Sequence, residues 1–116
     1  FRVWRSAQLR RVSVISPRTP GLTEWQPGRR AILYFTTPDC APCRTTQRPT
    51  LKRLQADLGE AVQVIEIDAS VERSVADHWG VLSVPTTFVL ADDGRPEHVN
   101  IGVTGYDRLK RQIAAR

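Results

Sequence analysis

Two cysteines stand three residues apart in Cys40-Ala41-Pro42-Cys43, and the chain holds no others. They sit where an apolar run, Ala31 to Phe35, gives way to a helix-favouring stretch from Pro42 to about Leu58. Residues three apart in a helix are neighbours on one face, so a small adjustment of the first turn brings the two sulfurs within bonding distance. Such a pair opens and closes without refolding the chain. Unpaired backbone donors and the macrodipole at a helix start favour an anion. Cys40 is therefore the expected nucleophile, and Cys43, one turn further in, the resolving thiol that displaces a captured partner. Pro42 is tolerated because the first helical turn does not use its missing donor.

Blander uses of the pair compete with this one. Both cysteines could be small buried hydrophobes, although two at this spacing at a helix start argue against it. A metal site needs about four ligands. His78 and His98 stand too far apart in sequence to complete a finger, so zinc would require a second chain. A purely structural disulfide would close a loop too small to stabilise much. The expectation is no metal and no organic cofactor, with the Cys40/Cys43 pair itself as the redox group.

The elements that must hold this pair follow from pattern. Ala31 to Phe35 is continuously apolar, as in a strand buried on both faces, and Pro38 ends it. Leu51, Leu54 and Leu58 recur at helical spacing, Gly59 closes the segment, and Pro49 inside it predicts a bend. Val62, Val64, Ile65 and Ile67 predict a second buried strand. Ser70 is the expected cap of a helix carrying Val71, Val75 and Trp79 and stopping at Gly80. Thr86 to Ala91 reads as strand, Asp93-Gly94 as a hairpin, and Val99, Ile101 and Val103 alternate on the returning strand. A closing helix carries Tyr106, Leu109 and Ile113. Ahead of all this, Val12, Val14 and Ile15 predict a short edge strand, followed by a Pro- and Gly-punctuated connection. The fold class is α/β, a mixed β-sheet with helices on both faces.

The chain has 116 residues, 41% of them hydrophobic and 25% charged, which fits one globular domain. It has no repeats and no apolar run long enough to span a bilayer. Its formal charge of +5 is uneven. Residues 1–30 carry seven arginines and one acid, Glu24, whereas residues 31–116 carry ten basic and eleven acidic side chains. The chain thus divides into a basic N-terminal arm over 1–30 and a nearly neutral domain over 31–116. The arm, with Phe1, Trp4, Arg2, Arg5, Arg10 and Arg11, suits the cytoplasmic side of a membrane better than nucleic acid, and no nucleic-acid partner is expected. A chain that opens on Phe1 and contains no Met is expected to be a piece of a longer one, with an anchor helix before Phe1. A solvated, Arg-rich extension is the alternative. Having no cysteine outside the pair fits a reducing cytoplasm.

Strand, Cys-x-x-Cys and helix, then Trp79-Gly80-Val81-Leu82-Ser83-Val84-Pro85-Thr86 ahead of a hairpin, resemble the thioredoxin family from about Ala31 to Ile113. The resemblance implies a cis peptide bond at Val84-Pro85, facing the cysteines and leaving the Val84 backbone open to an extended substrate. It implies too that Gly102 leaves room for that substrate. Three departures matter. Asp39 stands where the family has Trp and Ala41 where it has Gly, so Asp39, Ala41 and Pro42 make a polar edge to the substrate surface and partner choice should differ. The family's buried aspartate aligns with Tyr34 and its companion lysine with Val64, so deprotonation of Cys43 should be slower. The helix proline, Pro49, comes one residue later than in the family.

The resulting expectation is a thiol-disulfide oxidoreductase acting on protein disulfides, with an electron donor or acceptor of unknown identity. Its rival is a membrane-tethered binding module with the same fold and little redox activity. Tyr34, Trp25 and Trp79 are expected to pack, and His78 and His98 to face solvent.

Overall fold

A computed structural model describes residues 19–114. The expected edge strand at Val12, Val14 and Ile15, together with Phe1, Trp4 and the arm's first five arginines, lies outside the described residues.

Strand β1 (Ala31–Thr36) is the centre of the molecule, and all six of its residues are buried. An apolar run with no polar side can be accommodated only with cover on both faces. It pairs in parallel with β2 (Gln63–Asp68) and antiparallel with β3 (Thr86–Leu90), which carries β4 (Pro96–Ile101) antiparallel on its far side. The order β2-β1-β3-β4 makes a mixed sheet. Side-chain alternation along β1 then divides the core. Ile32 and Tyr34 pack with Leu51 and Leu54 of α1 (Arg48–Leu58) and with Leu109 and Ile113. Those last two belong to α3 (Tyr106–Ala114). Leu33 and Phe35 pack on the opposite face with Phe88, with Trp79, and with Ala76 of α2 (Arg73–His78). Helices therefore cover both faces.

Several local expectations are corrected. Ser70 does not cap α2: its N–H and hydroxyl both donate to Asp68 Oδ1, at 2.9 and 2.6 Å, forming a turn that delays the helix to Arg73. Val71 is consequently exposed. Strand β2 buries Ile65 and Ile67, whereas Val64 is only half-buried and Glu66 is exposed. That pattern reflects β2's position at the edge of the described sheet. Val103 lies beyond β4 and is exposed. His78 is half-buried, and its Nε2 lies buried without a hydrogen-bond partner, because the last turn of α2 tucks against Trp79.

Residues 19–30, grouped with the basic arm by charge, pack onto the sheet. Leu22 and Trp25 belong to the core, and Trp79 Nε1 donates to the Pro20 carbonyl at 2.7 Å. Trp79 is fully buried, tilted against Phe88 at 4.9 Å, and stands five residues before Val84. It thus ties the sheet, the 19–30 segment and the loop leading to Pro85 together. Among the described residues no helix is long and apolar enough to cross a membrane. Trp79→Ala is expected to lower stability by about 3–5 kcal/mol in a urea melt, whereas Leu82→Ala, on the exposed loop, should change it by no more than about 0.5 kcal/mol. Equal effects would contradict this division of the core from the loop.

Candidate active site

Strand β1 runs out at Thr36, and the chain turns through Thr37, Pro38 and Asp39 before the helical stretch 41–58 begins. Two backbone-directed bonds fix that turn: the Cys40 N–H donates to the Thr37 carbonyl at 3.2 Å, and Arg44 Nη1 donates to the Pro38 carbonyl at 2.7 Å. Cys40 is thereby held at the rim, half-buried, while Cys43 one turn on is fully buried beneath it. The two form a disulfide, with Cα atoms 5.2 Å apart. The Cys43 N–H points at Cys40 Sγ, 3.2 Å away. Asp39, Ala41 and Pro42 surround the pair and are all exposed.

The helix is not regular where it leaves the cysteines. Cys43–Gln47 forms a π turn, in which the Arg48 N–H reaches back five residues to the Cys43 carbonyl. A π turn is a one-residue insertion into an α-helix. It takes up the extra residue between Cys43 and Pro49, so Pro49 stands at the second residue of α1, directly after the π turn in a helical run unbroken from residue 41. The irregularity expected at Pro49 thus lies one turn ahead of it.

Tyr34 lies directly below. Its hydroxyl donates to the Cys43 carbonyl at 3.3 Å, and burial pushes its phenol above the ordinary value near 10. Neither fact makes it a proton acceptor at neutral pH. Beside it a cavity of about 200 Å³ is lined by Tyr34, Val64, Leu51, Arg48 and Glu66. Arg48 and Glu66 pair across its mouth, with Nη2 to Oε2 at 3.1 Å.

The second wall comes from β3 and β4. The Val84-Pro85 bond is cis. Val84 and Cys40 both pack against the cluster that contains Cys43 and Tyr34, which brings the two motifs together although about forty residues separate them. The Gly102 N–H donates to the Pro85 carbonyl at 2.8 Å, and Gly102 has φ +89° with open space where a Cβ would stand. A groove of about 340 Å³ runs alongside, from Thr37 past Ala69 and Arg73 to Val81 and Val84. Leu82 projects beside it, 82% exposed. Sequence reasoning did not single out Thr37, Ala69 or Arg73, since their joining depends on tertiary structure; Val81, Leu82 and Val84 stand within the motif that runs from Trp79 to Thr86.

The described residues hold no group of three or more His, Cys, Asp or Glu side chains able to take a metal, and the two histidines lie on α2 and β4. What the arrangement can do is exchange a disulfide: one reachable sulfur with a donor aimed at it, and a second sulfur within bonding distance behind it.

Comparison with known proteins agrees. The family model described as Thioredoxin matches residues 25–115. The chain is 29% identical over 79 residues to thioredoxin of Bacillus subtilis, covering 68% of this chain and 74% of that one. With thioredoxin of Listeria monocytogenes it shares 32% over 74 residues, 64% of this chain and 70% of the other. Among solved structures, thioredoxin-2 of the malaria parasite, a component of its protein secretion machinery, superposes with a TM-score of 0.71 at 23% identity, over 76% of this chain and 84% of that one. A sulfur pair at a helix start, a cis-proline opposite it and a family match over most of the chain lead to one conclusion: this chain belongs to the thioredoxin family and is a thiol-disulfide oxidoreductase.

Proposed function

We propose that Cys40 is the nucleophile toward protein disulfides and Cys43 the resolving thiol. The observation that carries this is the asymmetry of the pair: Cys40 at the rim with the Cys43 N–H aimed at its sulfur, and Cys43 sealed below. In the reduced protein that N–H stabilises a Cys40 thiolate, and a hydrogen bond to a charged acceptor is worth about 1.5–3 kcal/mol. Asp39 opposes the anion, but an exposed charge is screened by water and counts for roughly 0–1 kcal/mol. The backbone donor wins.

The Cys40 thiolate attacks one sulfur of the substrate disulfide, forming a mixed disulfide and expelling the other substrate sulfur as thiolate. Deprotonated Cys43 then attacks Cys40 Sγ. The Cys40–Cys43 bond forms, the mixed disulfide breaks, and the second substrate sulfur leaves as thiolate, so two electrons have passed to the substrate. A donor of the thioredoxin reductase class returns the pair to the dithiol. The substrate lies extended against Val84, Pro85 and Gly102, with the open backbone at Gly102 admitting it and Asp39, Ala41 and Pro42 forming its edge. No metal or organic cofactor takes part in these steps.

Cys40→Ser is expected to abolish insulin reduction, and Cys43→Ser to accumulate a disulfide-linked complex with substrate that dithiothreitol releases. Activity that survives Cys40→Ser would contradict the assignment and favour a docking module. The absence of a buried acid makes a second prediction. Tyr34→Asp, once its folding is checked by circular dichroism, should speed resolution of the mixed disulfide by about 10²-fold and add an inflection to the pH-rate profile, since a positioned base supplies at least that much. Burial raises the pKa of such a carboxyl, so the gain should grow as pH rises through it. An unchanged profile would show that Cys43 loses its proton by a route independent of this position.

A further inference from the structure

Gln47 is a fully buried polar side chain that the steps above do not use. It closes the π turn and lies inward with Cys43, Leu51 and Leu54, spaced by four, four and three residues. A core position on that stripe suits an apolar residue, and a buried amide is tolerated only if its hydrogen bonds are made. They are made to a single backbone unit. Gln47 Nε2 donates to the Thr104 carbonyl at 3.1 Å, and the Thr104 N–H donates to Gln47 Oε1 at 2.8 Å. Thr104 is two residues beyond Gly102, whose own N–H is held by the Pro85 carbonyl. The helix that carries the cysteines is thus joined through Gln47 to the 102–105 loop, and that loop to the cis-proline. In a regular helix an extra residue rotates every later side chain by about 100°; the π turn absorbs that rotation between Cys43 and Leu51, which leaves Gln47 facing the loop.

We infer that Gln47 is a positioning residue for substrate: it holds the 102–105 loop at a set height against the cysteine turn, and so sets the spacing between the Gly102 and Val84 backbones and Cys40. Gln47 does not touch the reacting sulfurs. The inference rests on the proposal that substrate lies against Val84 and Gly102. A protein disulfide must fit between these walls, whereas a small disulfide needs only Cys40.

Gln47→Leu removes both hydrogen bonds and leaves the apolar stripe complete. After folding is verified by urea melting, parent and variant are compared on insulin and on a dithiobis-nitrobenzoate, a small aromatic disulfide. The expected result is a KM for insulin raised about five- to tenfold with kcat within about twofold, and a rate with the small disulfide also within about twofold, in keeping with the loss of two buried hydrogen bonds. Equal loss on both substrates, or no change on insulin, would overturn the inference. Gln47→Met, unbranched and adaptable, serves as the second variant. If neither variant folds, the staple belongs to global stability and the inference falls. The parent's dependence on Cys40 separates the two layers: insulin reduction that needs Cys40 but ignores Gln47 removes only this inference, whereas reduction independent of Cys40 removes the site assignment beneath it.

Discussion

The structure turns on the contact between the Cys43 N–H and Cys40 Sγ. It exists because a strand buried on both faces delivers the chain to the surface and a helix starts after a short turn, leaving its first donors without partners in the helix itself. Strand β1 cannot shift in register without carrying Tyr34 and Phe35 to the wrong faces, and the cysteines follow it. Chemistry at Cys40 therefore depends on packing that contains no chemistry: Ile32 and Tyr34 under α1, Leu33 and Phe35 under Trp79.

The same contact explains how a polar environment coexists with a reactive sulfur. Asp39 and Arg44 are both exposed, so water screens their charges, and the backbone N–H of Cys43 is the donor in direct contact with Cys40 Sγ. Below, the family's buried acid is replaced by a phenol engaged with the Cys43 carbonyl, and its companion lysine by Val64. Proton transfer at Cys43 therefore has no buried carboxylate to use at that position. A cavity beside Tyr34 is lined by Val64 and by the paired Arg48 and Glu66.

The central strand, the Cys-x-x-Cys turn, the Asp93-Gly94 hairpin and the cis-proline were legible in the sequence because each rests on local composition: an unbroken apolar run, a fixed spacing, a turn dipeptide, a family motif. What was not legible depends on competition or on distance. Ser70 donates both its N–H and its hydroxyl to the Asp68 carboxylate two residues back, and the turn this makes moves the helix start on to Arg73, beyond the reach of a cap at Ser70. Leu22 lay in a stretch that charge assigned to the arm, yet charge says nothing of which apolar side chains reach the core; of that stretch only Trp25 was expected to pack. Gln47 was not singled out, because a regular 3.6-residue period hides the phase slip of a π turn; only the four-four-three spacing from Cys43 to Leu54 carried a trace of it.

The most direct measurement is the rate of iodoacetamide alkylation of the freshly reduced protein as a function of pH, with the modified residue identified by mass spectrometry. The account predicts one fast-reacting thiol, Cys40, whose midpoint lies below the value near 8.5 of free cysteine, and a protected Cys43. Two thiols that react alike, or a Cys40 that titrates at or above the free value, would contradict it.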